Sequence, residues 1–137
     1  MKIDILTLFP EMFTGLNSSI LKRAIEAEIT EIRVHDFREY SDKKNKRVDD
    51  YSYGGGAGMI IGVQPIVSCL RSIEGFENAH KIITTPVGKT YSQNKAWELS
   101  KKYDLIIVCG HYEGIDYRIR DYIDEEVSIG DYILTGG

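Results

Sequence analysis

A chain of 137 residues, with 42% hydrophobic and 28% charged residues, has the balance of one folded globular domain that builds its core without staples. The net charge of −4 excludes an all-over basic nucleic-acid binder, though not a local basic patch. No run reaches the ~18 apolar residues of a membrane span, and "MKIDILTLFPEMF" lacks the small-residue cleavage site of a signal peptide. Cys69 and Cys109 form no CxxC and, with the scattered His35, His80 and His111, offer no metal-ligand spacing. They read as reduced thiols of a cytoplasmic protein.

In chain order, "KIDILTL" is an apolar strand ended by Pro10. "SSILKRAIEAEI" reads as a helix capped by Ser18 or Ser19, with Ile20, Leu21, Ala24 and Ile25 on one face. "ITEIRVHDF" alternates loosely and is a second strand. Residues 38–62 form a long polar, glycine-rich segment. Its basic run, Lys43, Lys44, Lys46 and Arg47, is either a solvated loop or a patch for phosphate. "QPIVSCLRSI" is a helix with Pro65 in its first turn. "KIITT" is a strand ended by Pro86, and "SQNKAWELSKKY" a helix capped by Ser92. "LIIVC" is a five-residue apolar run, typical of a strand buried on both faces. A short amphipathic segment, 117–122, leads to a last strand, "EEVSI".

Strands alternating with helices predict an α/β fold: an open, mostly parallel sheet with helices on both faces. Ligands in such sheets bind beyond the carboxyl ends of strands. Three strand ends here run into turn chemistry, "TTPVGKT", "CGHYEGID" and "SIGDYILTGG". "GKT" at Gly88 to Thr90 is not a P-loop, because position 83 is Ile where that loop needs its first glycine. "YGGGAGM" is not a GxGxxG fingerprint either. Gly110, Gly114, Gly130, Gly136 and Gly137 instead permit close main-chain approach, and Glu113 and Asp131 are placed to face a cation. A ligand with an adenine and a positive sulfonium fits that pattern. Ordinary turns with acidic caps are the alternative for any one loop.

Three segments, "VDDYSYGGGAGM", "CGHYEGID" and "DEEVSIGDYILTGG", together with the opening "LTLFPEMF", closely resemble the bacterial tRNA (guanine-N1)-methyltransferase family TrmD, of the SPOUT class. The resemblance runs over nearly the whole chain. It implies a trefoil-knot methyltransferase domain over residues 1–137. S-adenosylmethionine would be held there, mainly by main chain, at Thr84, Thr85, Pro86, Gly110, Glu113, Ile129, Gly130, Tyr132, Ile133, Leu134, Gly136 and Gly137. His111 stands where some members carry Arg and reads as a loop residue.

The resemblance also implies transfer of a methyl group to N1 of the guanosine 3′ of the anticodon, at position 37, in tRNA. It further implies a homodimer with a shared active site, assisted by magnesium. The family's general base, the helix that completes its knot and its tRNA-gripping helical domain all follow the segment matched here. The expectation is therefore that this chain alone holds no catalytic base and turns over poorly, leaving a module that binds S-adenosylmethionine or RNA as the alternative. Gly54, Gly55 and Gly56, in a loop from Tyr53 to Met59 expected to be mobile until substrate arrives, join the basic run as candidate tRNA contacts.

Overall fold

A computed structural model describes residues 1–51, 59–110 and 114–130. Among the described residues, seven strands and three α-helices are formed: β1 (Lys2–Thr7), α1 (Ser19–Glu26), β2 (Glu31–Asp36), β3 (Asp49–Tyr51), β4 (Met59–Ile61), α2 (Val63–Arg71), β5 (His80–Thr90), α3 (Gln93–Ser100), β6 (Leu105–Cys109) and β7 (Glu125–Ser128). Five strands make one sheet in the order β2-β1-β6-β5-β7, every neighbouring pair parallel. The expected α/β class and parallel sheet are both observed. The expected trefoil knot involves residues 131–137, which lie outside the described residues.

Both faces of the sheet are covered. The larger core sets Leu6, Ile83, Ile106 and Val108 of the strands against Ile66, Val67, Cys69 and Leu70 of α2. The smaller one sets Ile82, Leu105 and Val127 against Leu99 of α3. Adjacent residues such as Ile82 and Ile83 serve opposite faces, which is why the strands read as continuous apolar runs. Each fully buried aliphatic side chain contributes about 1.5–3 kcal/mol. Cys69 and Cys109 are free and buried, and burial pushes their thiols up to about 12 and about 11. They are packing residues without thiolate chemistry.

Several elements depart from expectation. α1 buries none of its residues, so the face of Ile20 and Leu21 looks outward, with Met12 and Ile29 also exposed. Ser18 occupies the cap position, but its hydroxyl donates back to the Gly15 carbonyl at 2.7 Å. Ser92 does cap α3, accepting from the Lys95 N–H at 3.2 Å. The 38–62 segment contains an antiparallel hairpin, β3 with β4. β5 does not end at Pro86. It leaves the ladder after Thr84 and pairs again with β7 at Lys89 and Thr90.

One buried charge anchors the β1–β2 edge. Asp4 is 1% exposed. Arg33 donates to its carboxylate from Nε at 3.0 Å and Nη2 at 3.4 Å, and His35 Nε2 lies 2.7 Å away. Burial opposes ionisation of this carboxyl, but the hydrogen bonds and charges of His35 and Arg33 outweigh it and hold it below the ordinary range. The folded group therefore titrates below its unfolded value of about 3.9. Its contribution is full above that value and is lost as pH falls through the folded one. Asp4→Asn should cost about 1–3 kcal/mol at pH 7 by urea unfolding. The gap from wild type should narrow below about pH 4; a gap that stays constant from about pH 6 to about pH 3 contradicts this role for Asp4.

Candidate methyl-donor site

β6, β5 and β7 are neighbours, so their carboxyl ends share one edge of the sheet. Thr84 is in register with Cys109 on one side and with Val127 on the other. The loops that begin at residues 85, 110 and 129 therefore leave from adjacent strands. This is the convergence expected from the sequence, and it meets the structural condition for one shared site.

The first loop is an excursion of β5. Val127 pairs with Thr84 before the excursion and with Lys89 after it, so residues 85–88 bulge out of the ladder. Pro86 is tolerated there because it has no ladder bond to donate. Gly88 is where the strand returns. A Cβ on it would lie 2.6 Å from the Val127 nitrogen and 2.7 Å and 2.8 Å from the Glu126 carbonyl carbon and oxygen. These are main-chain atoms and cannot yield. The glycine of "GKT" is thus explained by close strand approach.

Thr85 carries the most informative atom of the bulge. Its hydroxyl is buried, and among the described residues it has no hydrogen-bond partner. Leaving a buried hydroxyl unpaired costs about 1–3 kcal/mol, so the bulge presents a polar group suited to an incoming ligand. Pro86 and Val87 are exposed on the same excursion.

The second loop starts at Gly110. A Cβ there would meet Ile115 carbons at 3.7 Å and 3.8 Å and the Thr84 carbonyl at 3.9 Å, all ordinary contacts. Among the described residues, the fold leaves room for a methyl at this position. The third loop turns on Ser128, whose hydroxyl donates to the Gly130 carbonyl at 2.7 Å and accepts from the Gly130 N–H at 3.3 Å. Ile129 is left exposed beside it.

Of the residues expected at the cofactor site, Thr84, Thr85, Pro86, Gly110, Ile129 and Gly130 are thus at or next to this edge. Glu113, Tyr132, Ile133, Leu134, Gly136 and Gly137 lie outside the described residues, as do His111 and Asp131. So do Gly54, Gly55 and Gly56 of the candidate tRNA loop. The basic run is described. Lys43 donates to the Asp49 carbonyl at 2.9 Å, Lys46 pairs with Glu39, and Arg47 Nη2 lies 3.3 Å from the Asp49 carboxylate. Hydrogen bonding from Arg47 holds the Asp49 carboxyl below its ordinary range. Lys44 is exposed.

A depression of about 310 Å³ opens at the opposite edge, among His80, Lys81, Lys102, Tyr103, Glu77 and Asp124. It sits at strand amino ends, and its two acids balance its two lysines, so it lacks the converging loops of the carboxyl edge. Among the described residues no helix is long and apolar enough to cross a membrane.

Comparison with known proteins decides the family. The family model for tRNA (Guanine-1)-methyltransferase TrmD matches residues 1–137. The chain belongs to the TrmD family. It is 54% identical over 137 residues to a tRNA (guanine-N(1)-)-methyltransferase of Clostridium botulinum strain Hall, covering 100% of this chain and 57% of that protein. It is 55% identical over the same span to the enzyme of that name from Clostridium novyi, with the same coverage. Against that of Clostridium tetani it is 52% identical over 136 residues, covering 99% of this chain and 57% of that protein. The chain spans just over half the length of these TrmD relatives.

The need for glycine at position 88 has no signal in the neighbouring residues, since its cause is a contact with β7 far along the chain. Gly88→Ala should break the return pairing of β5 with β7 and destabilise by about 3 kcal/mol, at the upper end for overpacking. Thermal unfolding measures the loss. Amide exchange should quicken at Tyr91, whose N–H donates to the Ser128 carbonyl at 2.6 Å. Unchanged stability and exchange would show that the bulge is not locked by this contact.

Proposed function

We propose that residues 1–137 form the methyl-donor domain of an enzyme that methylates N1 of guanosine 37 in tRNA, with S-adenosylmethionine as donor. What carries the reading is the meeting of three strand ends, in a TrmD-family chain, around a buried hydroxyl that has no partner among the described residues. Thr84, Thr85, Pro86, Gly110, Ile129 and Gly130 would hold the donor, along with Glu113, Tyr132, Ile133, Leu134, Gly136 and Gly137. When bound, S-adenosylmethionine supplies an electrophilic methyl group on a sulfonium. The Thr85 hydroxyl can accept from or donate to the ligand, and Gly110 leaves its main chain open to close approach.

Guanine N1 carries a proton that a base must take. The described carboxylates near the edge are poor candidates. Asp116 is buried, and hydrogen bonds from Arg118 outweigh its burial and hold it below the ordinary range. Glu126 is paired with Arg120 at 2.5 Å. We therefore assign no base among the described residues, and expect methyl transfer by residues 1–137 alone to be slower by about 10²–10⁴ than by a protein of the relatives' length. Single-turnover methylation of unmodified tRNA by the two proteins measures this. Equal rates would mean that the base lies within residues 1–137.

The same reading includes a homodimer, supported by the outward apolar side chains of Met12, Ile20, Leu21 and Ile29. It also includes a cytoplasmic setting, supported by two free buried thiols. Magnesium assistance belongs to it as well. The described residues hold no group of three or more His, Cys, Asp or Glu side chains able to bind a metal, so we assign the ion no residues.

Gly110 separates a ligand role from a folding role. Gly110→Ala should leave the unfolding midpoint almost unchanged and weaken S-adenosylmethionine binding by about tenfold or more, measured by calorimetry, because the added methyl enters space the ligand needs. Unchanged affinity would remove Gly110 from the site. For RNA, replacing Lys43, Lys44, Lys46 and Arg47 together by Ala should weaken tRNA binding at low salt. The dependence of log affinity on log salt should also become shallower, by about 0.7–0.9 for each phosphate that the run neutralises. Identical binding curves would leave the run a solvated face.

A further inference from the structure

A main-chain clamp ties the β3–β4 hairpin to the turn that follows β6. Ile61, the last residue of β4, donates its N–H to the Gly114 carbonyl at 3.0 Å and accepts from the Asp116 N–H at 2.9 Å. The pair forms a parallel bridge between Ile61 and Ile115. Gly114 has φ +125°, a backbone state that L side chains rarely adopt. Ile61 is fully buried, and Ile115 packs against the main core.

Asp116 secures the far end of the clamp. Its side chain is 3% exposed. Oδ1 accepts from the Arg118 N–H at 3.0 Å, starting the 3₁₀ turn at Tyr117–Tyr122, and Arg118 Nε lies 3.0 Å from both carboxylate oxygens. One acid thus fixes its own backbone and the next turn, in the residue whose N–H grips Ile61. Through Ile115 the clamp reaches the donor edge, because Ile115 is the side chain that Gly110 faces.

We propose that Asp116 is a positioning residue for the methyl-donor site, holding residues 114–116 on Ile61 so that the β3–β4 hairpin and the floor beneath Gly110 are set as one unit. The proposal rests on the donor reading above. Ordering this unit is a cost that a ligand on either side shares, so donor binding tightens the hairpin base and the reverse also holds.

Amide exchange and calorimetry test it, with S-adenosylmethionine as the probe, in wild type, Asp116→Asn and the milder Arg118→Gln. Exchange of the Ile61 and Asp116 amides should quicken by about tenfold in both variants, the effect of one charged hydrogen bond, while the β5 and β6 ladder amides keep their wild-type rates. The donor Kd should rise by about the same factor, and saturating donor should slow Ile61 exchange in the wild type. Faster exchange spread evenly over the sheet, or none at Ile61 in either variant, would overturn the proposal. If wild type binds donor and both variants bind it equally, the donor reading stands and this proposal falls. If wild type binds no donor, the donor reading fails first and takes this role of Asp116 with it.

Discussion

Thr84 lies between two parallel neighbours, in register with Cys109 of β6 and Val127 of β7. Parallel pairing on both flanks means that all three strands point the same way, so their carboxyl ends open on one edge. A change of one neighbour to antiparallel would send its loop to the opposite edge and dissolve the site. Parallel neighbours need crossovers, and the crossovers place α2 and α3 on opposite faces, where they bury Leu70 and Leu99. The architecture of the core and the position of the candidate site therefore follow from the same register.

How much of this was legible depends on where the physical cause resides. "LIIVC" is recognisable because a strand buried on both faces is apolar throughout, and "KIDILT" by its Ile3, Ile5 and Leu6 in spite of the buried Asp4. The Ser92 cap is local chemistry and is found where expected. The β3–β4 hairpin is not legible, because three-residue strands show too little alternation to stand out from a glycine-rich stretch. The return of β5 after Pro86 is hidden for a related reason: proline normally ends a ladder, and only a partner strand from much later in the chain shows that pairing resumes. α1 has a legible apolar face, but none of its residues is buried, a fact that periodicity cannot supply. At the site, Gly110 and Thr85 were readable as candidates from the resemblance. The clamp through Ile61 was not, because it consists of main-chain bonds between segments far apart in the chain, and Gly114 at φ +125° is its one local trace.

Two buried carboxylates organise the charged part of the molecule in different ways. Asp4 and Asp116 each meet an arginine, and both are held ionised below the ordinary range. Asp4 binds side chains of a neighbouring strand, Arg33 and His35, so its effect is to fasten β2 to β1. Asp116 binds the backbone and side chain of the residue two places on, so its effect is to fix a turn. The first is remote from the carboxyl edge and acts on stability. The second lies under that edge, where turn geometry sets the shape of any ligand space.

The described part of the edge offers little that can move a proton and much that can hold a shape. Asp116 and Glu126 are paired, the Cys109 thiol is buried, and beside them stand the hydroxyls of Thr84, Thr85 and Ser128, Pro86, Ile129, glycines and main chain. Groups of this kind recognise a ligand by outline and by the pattern of its hydrogen-bonding edges, independently of pH near neutrality. That suits the proposed donor, whose reactivity is already built into its sulfonium and which needs orientation and exclusion of wrong attackers more than activation. On the proposed reading it also places the demand for acid–base chemistry on the acceptor's side of the reaction, since the guanine proton would have to move. On that reading, the division of labour follows from building the donor site from strand ends, where close packing of β5 against β6 and β7 favours backbone and small side chains.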